Sequence, residues 1–165
     1  MSRTNVLAID CEMVGSHNKS ILARVSIVNQ HGSLILDEYV RPTSVVDDYR
    51  TFVCGIKKSD LENGKDFSFV KNKVANLIQG CILVGHSLHF DLEVLGLSHP
   101  ESRRRDLAKY DRLMRNGQPV ALWKLAKIYL GRNVQEDKHD SVEDAKACMD
   151  IYLKLAYEWE QHLKC

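Results

Sequence analysis

Two acidic residues at the end of an apolar run are the first candidates for chemistry in this sequence. Asp10 and Glu12 lie in the stretch Asn5–Val14, which reads Asn-Val-Leu-Ala-Ile-Asp-Cys-Glu-Met-Val. Alternate side chains of a strand share a face, so we expect both carboxylates on one face and Cys11 and Met13 on the other. Like charges so close together repel unless a cation lies between them, and a divalent metal ion suits oxygen ligands. The alternative is that Asp-x-Glu only marks where a strand leaves the core.

A third acid, Asp91, ends the string Gly85–Asp91, which reads Gly-His-Ser-Leu-His-Phe-Asp. This position favours the start of a helix, where a carboxylate can serve simply as a cap. His86 and His89 raise the alternative of a zinc site with Asp91, although zinc usually takes more nitrogen or sulfur ligands than this stretch offers. We expect His86 instead to support the loop.

A fourth acid belongs to the string His139–Asp144, which reads His-Asp-Ser-Val-Glu-Asp. Asp140 and Glu143 have the spacing of a capping box for the last helix. That role leaves His139 and Asp144 unexplained, since the histidine precedes the cap and the acid faces the core one turn later. A carboxylate that faces the core requires a partner.

These residues form a set that suits one reaction. Hydrolysis of a phosphodiester by two metal ions uses carboxylates to hold two Mg²⁺ or Mn²⁺ ions ~3.5–4 Å apart. A neutral imidazole can then take the proton from the attacking water. The sequence offers four acids and a histidine for these roles, namely Asp10, Glu12, Asp91, Asp144 and His139.

The apolar patterns predict strands first and helices afterwards. Three strands joined by short turns must form an antiparallel meander: Asn5–Cys11, Ile21–Asn29 and Ser33–Val40, with turns at Gly15–Ser20 and Gln30–Gly32. A further strand at Cys81–Gly85 follows a helix, so we expect it to lie parallel to a strand of the meander. We expect Met1–Thr4 to be a loose end.

Helical patterns fill most of the remaining chain. They cover Ser68–Gln79, Phe90–Leu95, Ala121–Leu130 and Val142–Lys164, with a short helix signal at Ser59–Glu62 inside the irregular stretch Arg41–Asp66. Ser98–Gly117 is predicted as mostly irregular, with one short strand or helix. The order predicts a mixed sheet covered by helices, which is one α/β domain over residues 1–165.

Composition excludes several classes of protein. The 165 residues are 44% hydrophobic and 27% charged, typical of a soluble globular protein, with no run that could cross a bilayer and no charged-then-apolar leader. Five scattered cysteines without a Cys-x-x-Cys pair favour a reducing compartment and argue against a disulfide framework. With a net charge of +1, a nucleic acid would need local basic patches.

The three acidic strings resemble the motifs of a known family. Asp10–Gly15, Gly85-His86-x₄-Asp91 and His139-x₄-Asp144-Ala145 are similar to the three motifs of the DEDDh 3′→5′ exonucleases, which have a ribonuclease H-like fold. The resemblance runs from about Val6 to Tyr152. Four segments are similar, more specifically, to the eukaryotic subgroup that contains RNA exonuclease 4 and the interferon-stimulated exonuclease. These segments are Asp10–Gly15, Leu22–Arg24, Tyr49–Thr51 and Ser141–Ala145.

The resemblance implies a role for each member of the set. Asp10, Glu12 and Asp144 would hold the ion that activates the water, and Asp10 would also touch a second ion. Asp91 would hold that second ion, partly through water. His139 would be the general base.

The resemblance also implies contacts with the 3′-terminal nucleotide. Met13 would pack against base or sugar, Arg50 would contact phosphate or ribose, and His86 is a third candidate for binding the substrate. The alternatives are that Met13 is ordinary core and Arg50 a solvated loop charge. Asp140 departs from the small residue that often follows the histidine in relatives, and we expect its charge to raise the pKa of His139.

The function implied is a metal-dependent 3′→5′ exonuclease that releases nucleoside 5′-monophosphates from single-stranded RNA, using two Mg²⁺ or Mn²⁺ ions. The alternatives are a DNA-directed exonuclease of the same family and a nucleic-acid-binding module without catalysis. We expect no membrane partner, and a nuclear or nucleolar location, or else a cytoplasmic one. Relatives of the RNA exonuclease 4 type often carry a basic extension, so the chain is either the catalytic domain of a longer protein or a minimal member.

Overall fold

A computed structural model describes residues 5–165; the loose end predicted for Met1–Thr4 lies outside the described residues. The described chain forms a five-stranded sheet in the order β3-β2-β1-β4-β5. Its strands are β1 (Val6–Ser16), β2 (Lys19–Asn29), β3 (Leu34–Tyr39), β4 (Ile82–Gly85) and β5 (Arg104–Asp106). The first three pair antiparallel, and β4 and β5 continue the sheet in parallel from β1. The predicted mixed α/β sheet is confirmed.

Helices cover both faces of this sheet. They are α1 (Thr51–Cys54), α2 (Lys58–Glu62), α3 (Phe67–Ile78), α4 (Leu88–Leu95), α5 (Leu122–Leu130) and α6 (Ser141–His162). Short 3₁₀ turns lie at Glu101–Arg103 and Asp111–Leu113. Within residues 5–165, no helix combines the length and the apolar character that crossing a membrane requires.

The core has two main layers because β1 is buried on both faces. Ala8 of β1 packs in a cluster with α5 and α6, whereas Ile9 packs in a second cluster with α3 and α4. Both side chains are fully buried, and burying an aliphatic side chain of this kind contributes roughly 1.5–3 kcal/mol. The alternation of β1 therefore directs every second residue, including Asp10 and Glu12, towards α6.

The connection between β1 and β2 is shorter than the predicted turn at Gly15–Ser20, and that prediction was wrong. The turn consists of His17 and Asn18, with φ of 50° and 61°. Two left-handed residues make a tight turn whose twist matches the flanking strands. Gly15 and Ser20 instead pair with each other across the hairpin, so β1 extends beyond its acids.

Several helix boundaries also differ from the predictions. The short helix α1 was missed, because four residues are too few to show a helical period. Helix α2 starts one residue early, and the carboxylate of Asp60, rather than the predicted Ser59–Glu62 pair, accepts the amide of Lys57 at 2.8 Å. Helix α4 begins at Leu88, two residues before the predicted Phe90. Strand β1 runs to Ser16, five residues beyond the predicted end at Cys11. The other predicted helices and strands match within two residues.

Candidate metal centre

Three of the predicted acids meet where β1 passes under the first turn of α6. One carboxylate oxygen from each of Asp10, Glu12 and Asp144 lies within 4.8 Å of the other two. Asp10 and Glu12 are two residues apart on one face of β1, and Asp144 comes from the helix that packs on that face. The structure thus brings together residues more than 130 positions apart in sequence.

Two oxygens of this group have unmet bonding capacity. Glu12 Oε1 and Asp144 Oδ1 are buried, and neither has a hydrogen-bond partner among residues 5–165. A buried polar group without a partner costs about 1–3 kcal/mol, and more when it is charged. A hard divalent cation bound through oxygen removes this cost. The three carboxylates therefore fit a metal ion by their chemistry as well as by their spacing.

Asp91 lies on α4 and contacts β1 rather than capping its own helix. Its Oδ1 accepts the backbone amide of Cys11 at 2.9 Å. The amides that open α4 donate to Asp106 instead, at 2.8 and 3.0 Å, so the capping alternative for Asp91 was wrong. Asp91 is outside the group of three, but it is the nearby charge that most strongly raises the pKa of Asp10.

All four acids have raised pKa values. Burial, with Asp91 and Asp144 close by, raises the pKa of Asp10 well above its ordinary value. Burial, reinforced by Asp144, raises the pKa of Glu12 to about 8. Burial raises the pKa of Asp91 to about 7 and that of Asp144 to about 6. Without a cation, these carboxyl groups together keep bound protons near neutral pH, and a divalent ion would displace those protons.

The environment of His139 differs from the prediction. Burial lowers the pKa of His139 below its ordinary value, whereas Asp140 was expected to raise it. The carboxylate of Asp140 accepts two amides of the first turn of α6, at 2.9 and 3.2 Å, and lies 3.6 Å from Arg24 Nη1. Burial is the cause of the shift at His139, whereas the charge of Asp140 contributes to the raised pKa values of Asp10, Glu12 and Asp144. The backbone amide of His139 donates to the carbonyl of Val53 at 2.7 Å, which holds the histidine beside α1.

Met13 belongs to β1 and Arg50 contacts the β1–β2 hairpin, and both are outside the group of acids. Met13 is half-buried and packs at the edge of the core that faces α3 and α4. Arg50 is half-buried, adopts φ of 51°, and donates from Nη1 to Ser20 Oγ at 3.0 Å. Its side chain is thereby held near the far end of the β1–β2 hairpin.

His86 and His89 have no common site. The Nε2 of His86 donates to the carbonyl of Val120 at 2.7 Å, a contact that ties the loop after β4 to the segment before α5. The ring of His89 is exposed and lies 3.9 Å from that of Phe90. The group of potential metal ligands found in residues 5–165 contains neither histidine, so the structure gives the zinc alternative no support.

Two polar residues at the site were missed by the sequence analysis. Gln135 Nε2 donates to Asp144 Oδ2 at 2.7 Å, and no pattern in the irregular stretch before α6 singles this residue out. Asp106 accepts three backbone amides and fixes the start of α4. An acid at the end of a parallel strand is a recognisable signal, but β5 has three residues and was not predicted as a definite strand.

Comparison with known proteins places this arrangement in a family. The sequence model of the family described as Exonuclease (RNase_T) matches residues 7–152. RNA exonuclease 4 of Mus musculus is 47% identical over 163 residues, covering 95% of this chain and 38% of that protein. RNA exonuclease 4 of Saccharomyces cerevisiae is 43% identical over 161 residues, covering 94% of this chain and 56% of that protein.

Solved structures share the fold as well. The pseudoubiquitin hydrolase–RNA exonuclease module of Saccharomyces cerevisiae Pan2, in complex with AAGGAA RNA, superposes with a TM-score of 0.84 at 31% identity, covering 97% of this chain and 30% of that chain. The Pan2 catalytic unit of Neurospora crassa gives a TM-score of 0.83 at 25% identity, covering 97% of this chain and 29% of that one. The chain spans 38% and 56% of the two curated relatives above. Because the family match covers most of its length and the sheet has the ribonuclease H-like architecture, this chain belongs to the exonuclease family and carries an exonuclease domain.

Proposed function

We propose that the domain is a metal-dependent 3′→5′ exonuclease that hydrolyses single-stranded RNA to nucleoside 5′-monophosphates. The observation that carries the proposal is that Asp10, Glu12 and Asp144 come together in an exonuclease domain. Two of their buried oxygens have no hydrogen-bond partner among residues 5–165. RNA as substrate is supported by the relatives named RNA exonuclease 4 and by Pan2 structures that contain RNA.

Four carboxylates would hold two Mg²⁺ or Mn²⁺ ions. Asp10, Glu12 and Asp144 form one group of ligands, and Asp91, held against β1 by Cys11, would serve the second ion. Such a pair of ions activates the attacking water and stabilises the leaving oxygen. The raised pKa values of the carboxyl groups describe the protein without metal, and binding would release their protons.

His139 would act as the general base. A base must be neutral to accept a proton, and burial lowers the pKa of His139, which favours the neutral ring. The hydrogen bond from its backbone to Val53 fixes its place next to the start of α6. The cap that Asp140 provides fixes the start of α6, directly after His139 and one turn before Asp144.

The 3′-terminal nucleotide would lie beside the hairpin. Met13 would pack against base or sugar, and Arg50, whose side chain is held by Ser20, would contact phosphate or ribose. His86 would act indirectly, by fixing the loop that precedes Asp91. The nucleus or nucleolus remains the expected compartment, on the resemblance alone.

The experiment is digestion of matched RNA and DNA oligomers labelled at either end, in Mg²⁺, Mn²⁺ or EDTA, with Asp10→Asn as the inactive control. We expect 5′-labelled RNA to shorten from its 3′ end and 3′-labelled RNA to release a labelled mononucleotide. Activity in EDTA, or in the control variant, would contradict metal catalysis. Faster digestion of DNA than of RNA would reassign the substrate and leave the reaction unchanged.

A further inference from the structure

The two oxygens of Asp144 have different surroundings, and Gln135 causes the difference. Asp144 Oδ2 accepts a hydrogen bond from Gln135 Nε2 at 2.7 Å, while Oδ1 is buried with no partner among residues 5–165. Asp144 itself is 2% exposed, so water does not compete freely for either oxygen. One oxygen is therefore already engaged, and the other is available to a cation.

The backbone at Gln135 adopts a conformation that its residue type does not favour. Its φ is 61°, in the left-handed region, which is unfavourable for a residue other than glycine. The segment that contains it connects α5 to α6 and is otherwise irregular. The hydrogen bond from Gln135 to the buried carboxylate of Asp144 offsets part of this unfavourable energy.

A neutral donor suits this position better than a cationic one. A lysine or arginine in the same place would hold the carboxylate equally well, but its charge would repel a divalent ion a few ångströms away. An amide fixes the carboxylate without adding charge. Outer partners of this kind orient metal ligands, and their loss typically lowers metal affinity 10–100-fold.

We propose that Gln135 is a positioning residue, which occupies Oδ2 of Asp144 and so presents Oδ1 alone to the metal ion. The proposal rests on the proposed function, since it requires that Asp144 be a metal ligand. It assigns Gln135 no contact with substrate or reacting atoms. Its consequence is that Asp144 binds the ion through one oxygen in a fixed orientation.

The test is calorimetric titration of Mn²⁺ into the protein without substrate, comparing wild type with Gln135→Met and Gln135→Ala. Methionine keeps the length of the side chain and removes the donor, and Gln161→Met, at an exposed position near the far end of α6, makes the same chemical change away from the site. We expect both Gln135 variants to bind Mn²⁺ on the order of 10-fold more weakly, and the control to match wild type.

Three results would decide against the proposal or its basis. Wild-type affinity in either Gln135 variant would overturn it. The proposal would also be wrong if, in EDTA, the Gln135 variants unfold at a much lower temperature than Gln161→Met. A loss of stability large enough to account for the weaker binding would make Gln135 a structural residue only. Failure of the wild-type protein itself to bind Mn²⁺ would instead reject the metal site and with it the proposed function.

Discussion

At the scale of single residues, the clearest test of the site is the change of one carboxylate to an amide. Asp10→Asn and Asp144→Asn each remove a proposed metal ligand while keeping the size of the side chain. We expect each variant to lose turnover on labelled RNA and to remain folded, because the change also relieves repulsion between carboxylates. Retention of more than about a tenth of the wild-type rate by either variant would argue against two-metal catalysis, in which direct ligands are essential.

The raised pKa of Glu12 makes a separate prediction about stability. A carboxyl group whose pKa rises from its ordinary value of 4.5 to about 8 on folding binds its proton more tightly in the folded state. Its contribution to stability is therefore present at low pH and is lost as pH rises towards 8. Glu12→Gln cannot titrate, so in EDTA its thermal midpoint should rise relative to wild type between pH 5 and 8. Calorimetry over this range checks the prediction, and a constant difference would contradict it.

His139 and Asp140 form a pair of tests for the general base. His139→Ala should lose on the order of 10²–10⁴-fold in turnover, the usual contribution of a positioned acid–base group, with little change in Mn²⁺ affinity. The rate of wild type should rise with pH on the acid side of neutrality, since burial lowers the pKa of His139.

Metal-bound water also titrates near neutral pH, so a rise in rate with pH does not by itself identify the base. Asp140→Ser provides the control, because serine can still cap α6 and burial, not the charge of Asp140, shifts the pKa of His139. We expect the rate of Asp140→Ser to rise with pH over the same range as that of wild type. If the rate of this variant rises at lower pH than that of wild type, the original expectation that Asp140 raises the pKa of His139 would be correct.

At the scale of elements, Asp106 connects two segments of the chain. Its carboxylate accepts the amides of Ser87, Leu88 and Ala108 at 2.8–3.0 Å, and so joins the end of β5 to the start of α4. Asp106→Ala should lower the free energy of unfolding by about 1–3 kcal/mol, the cost of leaving buried amides without partners. Urea unfolding in EDTA measures this loss. Asp111→Ala, at an exposed acid in a 3₁₀ turn, is the control and should change stability by less than about 0.5 kcal/mol.

The long elements and the acids could be predicted from the sequence because each has a local cause. Strand alternation placed Asp10 and Glu12 on one face of β1, and a helical period placed Asp144 on the inner face of α6. What was missed depends on contacts between distant segments. The two-residue turn at His17 and Asn18, the hydrogen bond from Gln135 to Asp144, and the burial of His139 all depend on partners that no local pattern reveals.

At the scale of the whole molecule, the sheet order explains why the site lies where it does. β1 is central, with β2 on one side and β4 on the other, so a helix laid across either face must pass over it. α6 crosses one face and brings Asp144, and α4 follows β4 and brings Asp91 to the same end of β1. The four acids therefore come together only in the complete fold, which couples metal binding to folding.

The last prediction concerns the end of the substrate that such a site accepts. A 3′-phosphate carries a charge of about −1.5 to −2 at pH 7, and it would enter a centre already lined by four carboxylates, where the bound ions would have to neutralise both. We therefore expect RNA with a 3′-phosphate to resist digestion, and phosphatase treatment to restore it. A 5′-phosphate, at the other end of the same oligomer, should have no effect and serves as the matched control. Shortening from the 5′ end, or cuts within a circular RNA, would contradict the assignment as a 3′→5′ exonuclease, because a site that reads a free 3′ end has no way to engage either substrate.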